Sequence, residues 1–61
     1  MQFVWIPEAP EHPGLYASKG GPQPSTMDAY AARKFDTRED CQAWCNANPV
    51  PKFEPKEHGF E

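Results

Sequence analysis

The stretch "FDTREDCQAWCNANP", residues 35–49, contains signals for the start, the buried face and the end of one α-helix. Thr37 is a residue type that caps helix starts, and the two acidic residues two and three positions later suit the positive end of the helix dipole. Asn48 precedes a proline, and the residue before a proline avoids helical backbone angles. The sequence therefore predicts a helix over residues 37–48.

Two cysteines lie one helical turn apart in this helix and allow three interpretations. Cys41, Trp44 and Cys45 share one helix face, and a free cysteine behaves as a small buried apolar residue. Alternatively, the two thiolates bind zinc with His58 or His12, although the chain has no C-x₂-C pair and few ligands. A disulfide within one helix would be strained. We expect the buried stripe, and therefore no metal and no cofactor.

Length and composition restrict the class of protein. A chain of 61 residues forms at most one domain, and at this size it buries only about 60% of its unfolded surface. The formal net charge of −3 gives no strong attraction for polyanions, which argues against nucleic-acid binding. The opening residues have neither the positive region of a signal peptide nor a membrane-length apolar run. We expect a cytoplasmic protein that does not bind membranes.

Residues 1–61 are expected to form a single small domain with three regions. Residues 1–24 contain a strand followed by a loop region rich in proline and glycine, with the clearest loop signal at the end of this region. Residues 25–48 are helical, because a capping box at Ser25–Asp28 predicts one or two turns before the main helix. Residues 49–61 are an extended C-terminal segment.

The extended segments predict an α+β fold, with a small antiparallel sheet of three to four short strands and the main helix on one face. Residues 2–6 are rich in β-forming side chains, and we expect the strand to end before Pro7. Further strands are predicted at residues 15–18, about 33–36 and 52–58. Prolines confine the last of these to an edge of the sheet or to an irregular extended segment.

The first predicted strand is apolar on both faces. Trp5 lies on one face, and Val4 and Ile6 lie on the other. Either the proline-rich loop or the C-terminal segment covers the second face, or that face contacts a partner protein. We take Trp5, together with Arg38 and Gln42 on the exposed side of the helix, as candidate partner-binding residues.

No catalytic signature is present. Glu54 and Glu57 flank His58 and offer an acid/base group, but a histidine this close to the terminus is expected to be solvated. The sequence has no Ser-His-Asp order, no phosphate-binding glycine loop and no H-E-x-x-H motif. A body this small is also expected to have no pocket of a few hundred Å³, which a small-molecule site requires. We therefore expect a protein that is not an enzyme.

One basic cluster suggests a different function. Arg33, Lys34 and Arg38 surround Phe35 and are able to contact phosphate, although acidic residues lie among them. The corresponding hypothesis is a metal-dependent nucleic-acid-binding domain with a zinc site formed by the two cysteines and His58. Mixed charge favours a solvated surface over a phosphate site.

The segment "DAYAARKFDTREDCQAWCNANP…KEHGF" resembles small uncharacterised proteins encoded by bacteria and their phages, which have an "AxxFxTREEA…EHGF" pattern. The resemblance covers roughly residues 26–60, although Asp40-Cys41 stands where those proteins have Glu-Ala. It implies a compact α+β fold and a phage or prophage setting, and it carries over no catalytic residue. The matching residues are Ala32, Phe35, Thr37, Arg38, Glu39, Glu57, His58, Gly59 and Phe60.

These observations lead to one principal hypothesis. The chain is expected to be a non-enzymatic module that docks on a larger protein. In a phage setting the partner is a host enzyme or defence complex that the module inhibits or redirects. The alternatives are the metal-dependent nucleic-acid-binding domain and a small component of a larger assembly such as a virion.

Overall fold

A computed structural model describes residues 2–20 and 22–60. The chain forms a four-stranded antiparallel sheet with one α-helix packed against it, which confirms the predicted α+β class. The strand order is β3-β2-β1-β4, so β1 is central and β4 forms one edge. In chain order the elements are β1 (Gln2–Glu8), β2 (Tyr16–Ala17), β3 (Ser25–Thr26), a 3₁₀ turn (Ala29–Ala31), α1 (Arg38–Ala47) and β4 (Glu54–Phe60).

Helix α1 agrees closely with the prediction. The Thr37 side chain caps its start by accepting a hydrogen bond from the Asp40 backbone N–H at 3.1 Å. Asn48 caps its end, and the Asn48 side-chain amide donates to the Trp44 carbonyl at 2.9 Å. The described part of the chain has no helix that is both long enough and apolar enough to cross a membrane.

Strand β1 was predicted to end before Pro7, but it continues to Glu8. Trp5 exchanges two backbone hydrogen bonds with Phe35, both 2.8 Å long, on the side of β1 away from β4. The odd-numbered residues of β1 therefore direct their backbone groups away from β4. Pro7 lies opposite Pro55 in β4, at a position where neither strand needs an N–H for the ladder between them.

The remaining strands differ from the prediction in position. The segment predicted as a strand at 33–36 contributes only the isolated bridge at Phe35. Strand β4 runs from Glu54–Phe60 instead of 52–58 and lies at the edge of the sheet. It pairs with β1 along its whole length, from Gln2 opposite Phe60 to Glu8 opposite Glu54.

The predicted capping box at Ser25–Asp28 does not start a helix at Ser25. Ser25 and Thr26 form β3 because they pair with β2, and Asp28 is the capping residue of the short 3₁₀ turn that follows. The Asp28 carboxylate accepts from the Tyr30 backbone N–H at 2.9 Å. In the loop predicted at 19–24, the described residues form no strand or helix, and Gly21 lies outside the described residues.

The sheet buries apolar side chains on both faces. On the α1 face, the partly buried Trp5, Leu15, Phe35 and Trp44 pack against a cluster formed by Ala9, Ala17, Cys41, Cys45 and Phe53. On the opposite face, Tyr16 and Phe60 pack against Val4, Ile6 and Ala32. The second face of β1 is thus covered within the chain by strand residues and by the segment that follows the 3₁₀ turn. We call these surfaces the helix face and the loop face.

Candidate functional site

The two cysteines belong to the core. Cys41 has no exposed surface, Cys45 is 6% exposed, and both are free thiols. Burial, together with a smaller effect of the neighbouring Cys45, raises the pKa of Cys41 from its ordinary value of 9.0 to about 12. Burial also raises the pKa of Cys45. Metal ligation and nucleophilic attack need the thiolate, which this environment disfavours.

The structure does not bring the proposed zinc ligands together. His58 lies opposite Val4 in the sheet, so its side chain leaves the sheet on the loop face, whereas the cysteines lie on the helix face. His12 lies in the exposed turn between β1 and β2. Within residues 2–20 and 22–60, no group of three His, Cys, Asp or Glu side chains is placed to hold a metal ion.

His58 contacts Glu8 and not Glu54 or Glu57, its predicted partners. Its Nε2 lies 3.2 Å from Glu8 Oε1, and the His58 and Glu8 side chains are 23% and 12% exposed. The Tyr16 and His58 rings pack edge to face, with 5.2 Å between their centroids. No spacing signal predicts this pair, because the two residues lie 50 positions apart.

The Glu8 carboxylate contacts two separate parts of the chain. Its second oxygen accepts a hydrogen bond from the Gly14 backbone N–H at 3.1 Å, and Gly14 has a φ of +93° that favours glycine. Glu8 therefore ties the turn after β1 to the edge strand β4 through His58.

The basic cluster is divided between the two faces of the sheet. The Arg33 guanidinium lies 5.0 Å from the centroid of the Trp44 ring on the helix face. Lys34 Nζ lies 5.5 Å from the centroid of the Phe60 ring and donates hydrogen bonds to backbone carbonyls of its own segment. Arg38 is at the exposed start of α1. The three cations therefore do not form one phosphate-binding surface.

Two of the three candidate partner-binding residues lie together. Arg38 and Gln42 line an open groove of about 480 Å³ between α1 and the segment 49–55, with Lys52 on its opposite side. The expectation that the chain has no cavity of this size is therefore wrong, because a short helix laid on a twisted sheet leaves a gap beside it. Trp5 does not belong to this groove, since it is half-buried and packs in the core of the helix face.

A second, smaller cavity lies on the other side of Phe53. Its volume is about 220 Å³, and Arg33, Trp44 and Asn48 line it together with residues of the loop after β2. Arg33 Nε is buried and has no hydrogen-bond partner among the described atoms. From the sequence, Arg33 is predicted only as one of three clustered cations, because its contact with Trp44 depends on how α1 crosses the sheet.

The outer edge of β4 is open. The even-numbered residues of β4 direct their backbone N–H and C=O groups towards β1. The backbone groups of the odd-numbered Pro55, Glu57 and Gly59 therefore point outwards. No hydrogen bond within the described chain uses the backbone N–H of Glu57 or Gly59. Phe3 lies opposite Gly59 and is 58% exposed, because the glycine has no side chain to cover it. We call Pro55, Glu57 and Gly59 the β4 edge.

Comparison with known proteins gives no relative: no protein-family model, curated protein or solved structure matches this chain.

Proposed function

We propose that this protein is a non-enzymatic binding module that adds an extended strand of a larger partner protein to the β4 edge. The observation that carries the proposal is the pair of outward backbone N–H groups at Glu57 and Gly59, which have no partner in the described chain. An unpaired strand edge is a ready template for strand addition, in which main-chain hydrogen bonds provide the affinity.

The position of Pro55 limits where a partner strand can pair. Pro55 points its nitrogen outwards but has no N–H to donate, so this end of the edge is blocked. Glu57 and Gly59 are both exposed and each offers one donor and one acceptor. The partner strand is therefore expected to pair with the C-terminal half of β4.

The side chains at the β4 edge favour a particular partner chemistry. Glu57 lies opposite Trp5 and Gly59 opposite Phe3, so Glu57 and Phe3 share the helix face. A basic residue directly across from Glu57 would form an opposite-charge pair, and an apolar residue next to Gly59 would cover Phe3. The expected partner segment is thus extended, with one basic and one apolar side chain on the same face.

The phage setting that the resemblance implies suggests which kind of protein the partner is. In that setting the proposed partner is a host enzyme or a defence complex, and adding this module to one of its strands would inhibit or redirect it. The same main-chain recognition needs no catalytic residue and no cofactor in the module itself.

Proline substitution at the β4 edge tests the proposal. Pro55 already occupies an outward position, so Glu57→Pro at another outward position should keep the β1–β4 ladder while removing one outward donor. The matched control is Glu57→Gln, which keeps the N–H and removes the charge. The measurement is capture of a stoichiometric partner from a bacterial lysate by the tagged wild type and by each variant, with the fold of each variant checked by circular dichroism.

We expect Glu57→Pro to remain folded and to lose the captured partner, and Glu57→Gln to retain most of it. A folded Glu57→Pro variant that captures the same partner as the wild type would contradict the proposal. Failure of the wild type to capture any stoichiometric protein would contradict it as well.

A further inference from the structure

We propose that Arg33 and Trp44 form a binding site for a carboxylate anion in the cavity of about 220 Å³ beside them. We call this cavity the Arg33–Trp44 pocket; Ser18, Gln23, Asn48 and Phe53 also line it. The site goes beyond the proposed strand addition and lies elsewhere on the molecule, since Arg33 is anchored to β2 and the β4 edge is on the other side of β1.

The Arg33 guanidinium is held in place by its backbone and by Trp44. The Arg33 backbone N–H donates to the Ala17 carbonyl at 2.8 Å, which fixes the start of the side chain against β2. The guanidinium lies 5.0 Å from the centroid of the Trp44 ring. Trp44 itself packs against Phe35 and Phe53, with ring centroids 6.4 Å and 6.2 Å away. A planar cation stacked on a fixed indole loses little conformational entropy when it binds an anion.

The Arg33 guanidinium has N–H donors that have no partner in the described residues. Arg33 Nε is buried without a hydrogen-bond partner, and no carboxylate of residues 2–20 or 22–60 lies within ion-pair distance of Arg33. The two terminal nitrogens make no hydrogen bond in this part of the chain either, and they are not among its buried unpaired atoms. They are therefore accessible to an incoming group. A partly buried, unpaired cation is costly, and a bound anion would offset that cost.

The shape and charge of the guanidinium favour a carboxylate over other anions. Two N–H groups on one edge of a guanidinium match the two oxygens of a carboxylate, and the pair is planar like the stack beneath it. The pocket holds one cation, so a singly charged anion suits it better than a doubly charged phosphate.

The test follows the Arg33 side chain directly. Arg33 and Arg38 are the two arginines of the chain, so a ¹H–¹⁵N spectrum of the full-length protein contains two arginine Nε–H signals. Arg38 at the exposed start of α1 is the internal control. The probes are sodium acetate, N-acetylglutamate amide, inorganic phosphate and sodium chloride, each at the same ionic strength. Assignment uses Arg33→Lys and Arg38→Lys, which keep the charge and lose the planar fork.

We expect acetate or N-acetylglutamate amide to move the Arg33 signal and the Trp44 indole signal to saturation, with the Arg38 signal unmoved. In Arg33→Lys the shift of the Trp44 signal should need at least about tenfold more ligand, since a lysine cannot form the paired contact. Arg38→Lys should bind as the wild type does. If N-acetylglutamate amide binds more tightly than acetate, the ligand is an acidic residue of a polypeptide. If the two probes bind equally well, the ligand is a free carboxylate.

Two results would overturn the proposal. One is the absence of any saturable shift of the Arg33 signal with either carboxylate. The other is a shift of the Arg33 signal with phosphate or chloride that is as large as the shift with a carboxylate. That result would mean that the site binds any anion and does not select a carboxylate. Both results are read from the wild-type protein, and Arg38→Lys at its exposed position is sufficient to assign the two arginine signals.

Discussion

The two faces of the sheet are covered in different ways. On the helix face, a capped helix places two buried cysteines and a tryptophan over the strands. On the loop face, no regular helix is present among the described residues, yet Ile6 is fully buried beneath side chains from β2, β4 and the segment around Ala32. A short chain can thus cover a second sheet face with individual side chains when a second helix is missing.

Shortening the side chain of Ile6 gives the strongest test of this comparison. Ile6→Ala removes a fully buried side chain from the loop face, and we expect a loss of about 2–5 kcal/mol in the free energy of unfolding. That is a large part of the stability of so small a domain. Urea unfolding followed by circular dichroism measures the loss, and Ile6→Val is the control, with about 0.5–1.5 kcal/mol expected. A loss below that of the control would mean that the loop face is not packed in solution.

The helix face should respond to alkaline pH. The folded pKa of Cys41 is about 12 against an ordinary value of 9.0, so between these values the unfolded chain loses the thiol proton and the folded chain keeps it. The unfolded state then binds fewer protons, and stability, intact below pH 9, falls by up to about 1.4 kcal/mol per pH unit as the pH rises. Urea midpoints between pH 8 and pH 11 measure the slope. Cys41→Ala should flatten it, and an unchanged slope in that variant would contradict the burial of the thiol.

The polar pair on the loop face should have the smallest effect. A double-mutant cycle of Glu8→Gln and His58→Gln isolates the contact of 3.2 Å between these side chains. We expect a coupling of about 0.5–1 kcal/mol near neutral pH, because both groups keep some contact with water. Thermal unfolding of the four proteins gives the value. A coupling of zero would mean that Glu8 acts only through the turn at Gly14.

The sequence predicted the helix well because its signals are local. Thr37 and Asn48 act within one turn of the helix they limit, and the spacing of Cys41 and Cys45 alone places them on one face. The predicted helix start at Ser25 was wrong. A hydroxyl side chain next to a turn is compatible with a helix start and with a strand end, and pairing with β2 makes Ser25 part of a strand.

The candidate sites were harder to predict because they join residues that are distant in the chain. His58 meets Glu8 through the register of β1 and β4, and nothing in the neighbourhood of either residue carries that information. Arg33 meets Trp44 only because α1 crosses the sheet at that point. Local spacing instead suggested Glu54 and Glu57 as partners of His58, but Glu54 is too far along the strand and Glu57 points to the other face.

The facing prolines of β1 and β4 also protect the chain against mispairing. In the native alignment neither Pro7 nor Pro55 is asked for a hydrogen bond. If β4 shifted by one residue, Pro55 would have to supply an N–H that it does not have, and every side chain of the strand would move to the opposite face. A folding chain that starts in the wrong alignment therefore gains less from it, and two residues usually regarded as strand breakers help to select the correct pairing.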